Sequence, residues 1–246
     1  MYASLRKGQA ERRSSVEVIP AHQKTQGPHR IPESLSPAVF RKSIYPENGT
    51  PKFSDIKQGA LGSCGLLAML GAAVYRDPEI IKRLISPAAG GFSVNFSDGP
   101  EIVSPVFPTG GSGLWLYAQA DVPWVAILEK AVAKRQSQLK DEPPSYSSIH
   151  GVQAWKLAEL FGWKARVYFK RAADEFSRLM MEASQKGEFM VASWEDPGGR
   201  HARAILHDRI DGNTVGIYDP HRKEEVIPFA EFAAKKDLIL VCVAAS

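Results

Sequence analysis

The 246-residue chain is 44% hydrophobic and 24% charged, ordinary proportions for a soluble globular protein long enough to bury a core in one domain or two lobes. Its two cysteines, Cys64 and Cys242, cannot form a disulfide framework, and no apolar run reaches the roughly 18 residues of a membrane span. The formal charge of +4 sits in residues 1–50, with 8 Lys/Arg against 4 Asp/Glu; the rest balances at 23 of each and offers no electrostatic case for a nucleic-acid partner.

Residues 1–50 are rich in Ser, Pro, Gln, Arg and His without periodicity, which predicts a disordered basic leader. It lacks the hydrophobic core of a secretory signal. Next comes Gln58-Gly59-Ala60-Leu61-Gly62-Ser63-Cys64, a glycine-rich turn running into Leu67, Leu70, Val74 and Ile80/Ile81 at helical spacing. The spacing puts Cys64 at the first helical position with Ser63 as its cap. Amides and the macrodipole there favour a negative sulfur, and a thiol of low pKa is a nucleophile at neutral pH.

Asp77-Pro78 caps a second helix to about Leu84. Phe92, Val94 and Phe96 alternate with polar residues, and Asp98-Gly99 turns the chain into a hairpin through Ser104. The stretch Gly110-Gly111-Ser112-Gly113 lacks the Lys-Ser/Thr of a phosphate loop and opens no helix, so it reads as a plain loop. Leu114–Tyr117 is a short strand candidate. From Val122 to about Gln138 the pattern is helical, with Trp124, Ile127, Leu128 and Ala131 inside and Glu129, Lys130 and Lys134 largely outside. Lys140–Ser148, with Pro143-Pro144, reads as the break between two halves.

The second half predicts a helix over Val152–Phe161 stopped by Gly162, a strand over Lys164–Phe169 and an amphipathic helix over Ala172–Gln185. Strands follow over Phe189–Trp194, His201–Arg209 and Val215–Tyr218, then a short helix over Phe229–Ala234 and a buried strand over Leu238–Val243. Helices around the cysteine followed by a largely antiparallel sheet make an α+β protein of two lobes.

A nucleophilic thiol needs a base, a group that orients the base, and donors for an oxyanion. His201 follows a Gly-Gly turn and opens a strand, and Asp219 ends the next one, so a hairpin can bring imidazole and carboxylate together. Gln58, six residues before Cys64, supplies an amide donor. His207 and His221 compete with His201 as the base. No histidine pair with a carboxylate has metal-site spacing, so no metal is expected.

At these residues the chain resembles the calpain-type, papain-like cysteine protease core. Gln58–Cys64 looks like the family's Gln-Gly-x-x-Gly-[Asp/Asn]-Cys box, and Trp124–Lys134 is very similar to its Trp-x-x-Leu-Leu-Glu-Lys-Ala-Tyr-Ala-Lys helix. Ser145-Tyr146 with His150-Gly151 resembles the segment Ser-Tyr-Glu-x-Leu-x-Gly-Gly. Arg200-His201-Ala202 sits where Gly-His-Ala-Tyr carries the catalytic histidine, and Asp219-Pro220 where Asn-Pro-Trp-Gly carries the orienting asparagine.

The resemblance implies an α+β, papain-like fold: a helical lobe bearing the cysteine helix over about 51–143 and an antiparallel sheet lobe over about 144–246. It implies Cys64 as nucleophile, His201 as base, Asp219 as orienter and Gln58 as oxyanion donor of a thiol endopeptidase. The substrate is then a protein or peptide, and a monomer is expected. Papain-like sites also support other acyl transfers, such as glutamine deamidation or transamidation, and a binding module can keep the fold without catalysis.

Four departures stand out: Ser63 for Asp/Asn, Gly65 for the Trp after the cysteine, Asp219 for Asn, and His221 for a shielding Trp. No regulatory domain is expected after the core and no acidic loop has calcium-site spacing, so no calcium requirement and no cofactor are expected. A compact bacterial-type member fits best, located in the cytoplasm or exported to a host cell as an effector through its leader.

Overall fold

Helix α1 (Cys64–Arg76) starts at the cysteine in a computed structural model that describes residues 31, 43–46, 48–108, 117–119, 122–211, 213–221 and 223–245. Ten of its thirteen residues are buried, from Gly65 to Val74, because α1 is enclosed on several sides rather than along one stripe. Helix α2 (Pro78–Leu84) follows at once, with the Asp77 side chain accepting the Glu79 amide at 2.9 Å. The chain then forms three antiparallel strands, β1 (Ile85–Ala88), β2 (Gly91–Phe96) and β3 (Gly99–Val103). The β2–β3 turn falls at the predicted place, with Gly99 at φ +126°. Strand β1 has no signature of its own: its four residues bury Ile85 and pair with β2 directly after the helix.

Helix α3 (Pro123–Leu139) corrects one expectation. Glu129 and Lys130 are buried, not outside. Each is enclosed because it is fully used: the Lys130 ammonium donates to the Ser104 carbonyl and hydroxyl and to the Val106 carbonyl at 2.8–3.0 Å. Helix α4 (Ala154–Leu160) ends at Gly162, whose φ of +71° is the left-handed stop its position predicts.

The six-stranded sheet runs in the order β4 (Lys164–Phe169), β9 (Ile239–Ala244), β5 (Phe189–Asp196), β6 (Gly199–Ile210), β7 (Thr214–Asp219) and β8 (Lys223–Pro228). Every described pairing in it is antiparallel. Strand β8 escapes a hydrophobic reading because its sequence, Lys-Glu-Glu-Val-Ile-Pro, is that of a charged edge strand. Helices α5 (Ala173–Gln185) and α6 (Phe229–Ala233) cover one sheet face, over a cluster that includes Phe176, Trp194 and Phe232. Helix α1 covers the other, and there one core joins Leu66, Leu67 and Leu70 to Ala202, Ala204, Leu206 and Tyr218. Helices and antiparallel sheets make the chain α+β.

The residues read as a leader lie outside the described residues, apart from Ile31, 43–46 and 48–50. Ile31 is buried and its amide donates to the Pro144 carbonyl at 3.2 Å. The candidate strand at Leu114 and the glycine loop at 110–113 also lie outside, while Tyr117 is buried in a bend rather than a strand.

Candidate active site

The turn before α1 is held from three directions. The Gln58 amide donates to the Pro220 carbonyl at 2.8 Å, Tyr218 donates its hydroxyl to the Ile56 carbonyl at 2.7 Å, and the Gln119 amide donates to the Lys57 carbonyl at 2.8 Å. Within the turn the Leu61 carbonyl accepts both the Gln58 side-chain Nε2, at 2.7 Å, and the Ser63 amide, at 2.9 Å. The Gln58 side chain thus lies against the turn that delivers Cys64. Its Oε1 is buried without a hydrogen-bond partner among the described residues.

Ser63 does not cap α1 with its side chain. Its hydroxyl donates instead to Glu129 Oε1 at 2.6 Å, and Glu129 Oε2 accepts the Ala118 amide at 2.8 Å. A buried carboxylate is a strong, charge-assisted acceptor, and it turns the hydroxyl toward α3.

His201 Nε2 lies 2.9 Å from Asp219 Oδ1, and the His201 ring is near enough to Cys64 to act on its thiol. Cys64, His201 and Asp219 are therefore brought together. The register of β6 and β7 explains why His201 is the histidine that reaches the carboxylate. The ladder shifts between Leu206 and Ile210, so that Ala204 pairs with Tyr218. An unbroken ladder from the Ile210–Val215 pair would set Leu206 opposite Asp219, move His201 out of reach of the carboxylate and leave His207 on the other sheet face. His207 packs edge-on to Tyr75 instead, with ring centroids 5.3 Å apart.

His221 stacks on His201 with centroids 5.0 Å apart and planes 13° off parallel, and its amide donates to Asp219 Oδ1 at 2.9 Å. It fills the place of the shielding aromatic ring. The departure at Gly65 also has a structural reason, since a Cβ there would collide with the Val152 carbonyl oxygen.

The electrostatics follow from these contacts. Burial pushes the Cys64 thiol up, but the hydrogen bond to His201, the Ala202 amide, the imidazole charge and the Gly65 amide outweigh it, and the net shift is downward. Burial pulls His201 down, but its hydrogen bonds to Asp219 and Cys64 and the charges of both raise it to about 9. Burial raises Asp219, while His201, the His221 amide and Arg203 together bring it below its ordinary value. The arrangement favours a thiolate beside an imidazolium.

His201, Asp219 and His221 offer ligand atoms within 4.8 Å of one another, the distance range of a metal site. Their rings are nearly parallel and do not aim at a common point, and both Asp219 oxygens already face donors. Arg203, which faces Oδ2, carries no motif and was visible in the sequence only as the second residue after His201.

A sulfur and an imidazole at the end of an antiparallel sheet, with the sulfur on the first turn of a buried helix, define a papain-like cysteine protease core. The sequence profile of the calpain family of cysteine proteases matches residues 28–213, and the chain belongs to that family. The match includes Gln58, Cys64 and His201 and stops short of Asp219. The chain is 29% identical over 172 residues to the calpain-2 catalytic subunit of Gallus gallus, covering 64% of this chain and 23% of that protein. It is 29% identical over 155 residues to the calpain-1 catalytic subunit of Gallus gallus, covering 57% and 21%. With calpain-B of Drosophila melanogaster it shares 30% over 159 residues, covering 58% and 16%. The matched stretch thus spans less than a quarter of those proteins. No helix among the described residues is long and apolar enough to cross a membrane.

Proposed function

We propose that the chain is a cysteine endopeptidase acting through Cys64, His201, Asp219 and Gln58. The observation that carries this reading is the His201–Asp219 pair at 2.9 Å with Cys64 beside the ring, the thiol lowered and the imidazole raised. The Cys64 thiolate attacks a peptide carbonyl, forming an S–C bond. The oxyanion is met by the second hydrogen of Gln58 Nε2 and by the Cys64 amide. The His201 imidazolium gives its proton to the departing amine as the C–N bond breaks. Water then loses a proton to the neutral His201 and attacks the acyl carbon, releasing the acid and the thiolate. Asp219 holds the ring in one tautomer throughout.

The site assembles on one core shared by α1 and β6, which supports a reaction without calcium. The lobes meeting there are about 51–143 and about 144–246. Full-length wild type and Cys64→Ala are to be treated with a peptidyl epoxide and with casein, with calcium or chelator. Labelling and cleavage by wild type alone, unchanged by the chelator, is the expected result. Folded wild type that takes no label overturns the assignment, and label without any cleavage favours another acyl transfer.

A further inference from the structure

Arg203 stands one step past the last paired residues of β6 and β7, Ala204 and Tyr218, which sets it beside Asp219 on the same sheet face. Its Nε lies 3.3 Å from Asp219 Oδ2, the oxygen that His201 does not use. One terminal nitrogen, Nη1, donates to the His201 carbonyl at 3.2 Å, and the other, Nη2, pairs with Asp196. The guanidinium lies 4.0 Å from the centroid of the Trp194 ring. With its side chain 11% exposed, Arg203 is as enclosed as His201 and Asp219, at 15% and 14%.

We infer that Arg203 is a positioning residue that neutralises Asp219, so that a carboxylate performs here the orienting work of the family motif's uncharged asparagine. The inference rests on the reading of Cys64, His201 and Asp219 as the working site. Acylation needs a protonated ring to release the amine, and deacylation needs a neutral ring to accept a proton from water. A bare carboxylate 2.9 Å from the imidazole would favour the protonated ring so far that the second step suffers. A guanidinium against the other oxygen offsets that charge, and its rigid fork fixes the plane of the carboxylate.

Among the described residues, the other charged and titratable groups near the pair are few. His201 faces Cys64 from α1 and the ring of His221 from the turn after β7. Asp219 faces the His221 amide and lies within electrostatic reach of Lys223 on β8. Arg203 faces Asp196 on β5, and Lys235 approaches the same Trp194 ring at 5.6 Å. None of these other groups reaches Oδ2 among the described contacts.

The test is the pH dependence of Cys64 alkylation by iodoacetate in the full chain. This anionic reagent reacts fastest while the ring is protonated, so the alkaline limb of its profile reports the ring. The set is wild type, Arg203→Met, Asp219→Asn, the double variant and Arg203→Lys, each checked for folding by circular dichroism. Arg203→Met should move the alkaline limb to higher pH and Asp219→Asn to lower pH, each by about one pH unit. The double variant, again neutral as a pair, should return close to wild type, and Arg203→Lys should recover most of the position.

If Arg203→Met does not fold, the comparison of Asp219→Asn with the double variant carries the test, since removal of the arginine must then move the limb back up. A limb that stays put on removal of Arg203, or single variants that move it in the same direction, overturns the inference while leaving the active site standing. A wild-type profile like that of an ordinary thiol overturns the active-site reading itself, and the inference with it.

Discussion

Glu129 shows what one side chain does for the turn that carries Cys64, the proposed nucleophile. It sits in α3 with 1% of its surface exposed, joining Ser63, the residue before Cys64, to the segment at Ala118. Burial pushes its carboxyl up, and the Ser63 hydroxyl and Ala118 amide only partly offset this, leaving it at about 7. Folding thus raises the pKa of this acid above its unfolded value, and the folded state holds the proton longer. Its contribution to stability is full below the ordinary carboxyl range and is lost as pH rises through about 7. The melting temperature should therefore fall between pH 5 and pH 8 in wild type, and Glu129→Gln should flatten that slope. Glutamine has one acceptor oxygen for two donors, so the variant should also lose about 1–3 kcal/mol at pH 5. Thermal melts across that range check both, and a slope unchanged in the variant would assign it to another group.

At the scale of elements, the approach of the 150–152 segment to α1 depends on glycine. The Gly151 amide donates to the Gly62 carbonyl at 2.8 Å, and the Val152 carbonyl occupies the space a Cβ at Gly65 would need. At Gly62 the nearest obstacle is the His150 ring, 2.8 Å from a built Cβ, and that ring belongs to an exposed side chain that can swing away. Gly65→Ala should cost about 1–3 kcal/mol, because backbone must move, and should slow alkylation of Cys64. Gly62→Ala should cost well under half as much. Equal effects in chemical melts would mean the two contacts yield alike.

The same scale separates what the sequence discloses from what it does not. The cysteine helix, the turn at Gly99 and the stop at Gly162 are local devices, readable from a few neighbouring residues. Long-range choices are not local. That Glu129 points inward depends on Ser63, 66 residues away. The meeting of Asp219 with His201 depends on a register shift between Leu206 and Ile210, which no periodicity announces. The family motif supplied His201 where spacing alone left three candidates. Arg203 escaped both routes, because it follows from the shifted register and belongs to no quoted motif.

For the whole molecule, the decisive fact is that α1 belongs to the same core as the sheet on which His201 and Asp219 stand. Leu66, Leu67 and Leu70 pack in one cluster with Ile127 and Leu128 of α3 and with Val191, Ala204 and Val241 of the sheet. A core shared this widely couples the unfolding of the two halves. Leu67→Ala, at a fully buried position, should lose about 2–5 kcal/mol. That loss should appear as one transition, with the fluorescence of the chain's five tryptophans, Trp124 in α3 and Trp194 in β5 among them, coinciding with far-ultraviolet circular dichroism. On the proposal that no calcium is needed, the same melts with calcium or chelator should superimpose. Two separated transitions, or a chelator-dependent midpoint, would mean that the halves fold apart and that something other than the shared core brings nucleophile and base together.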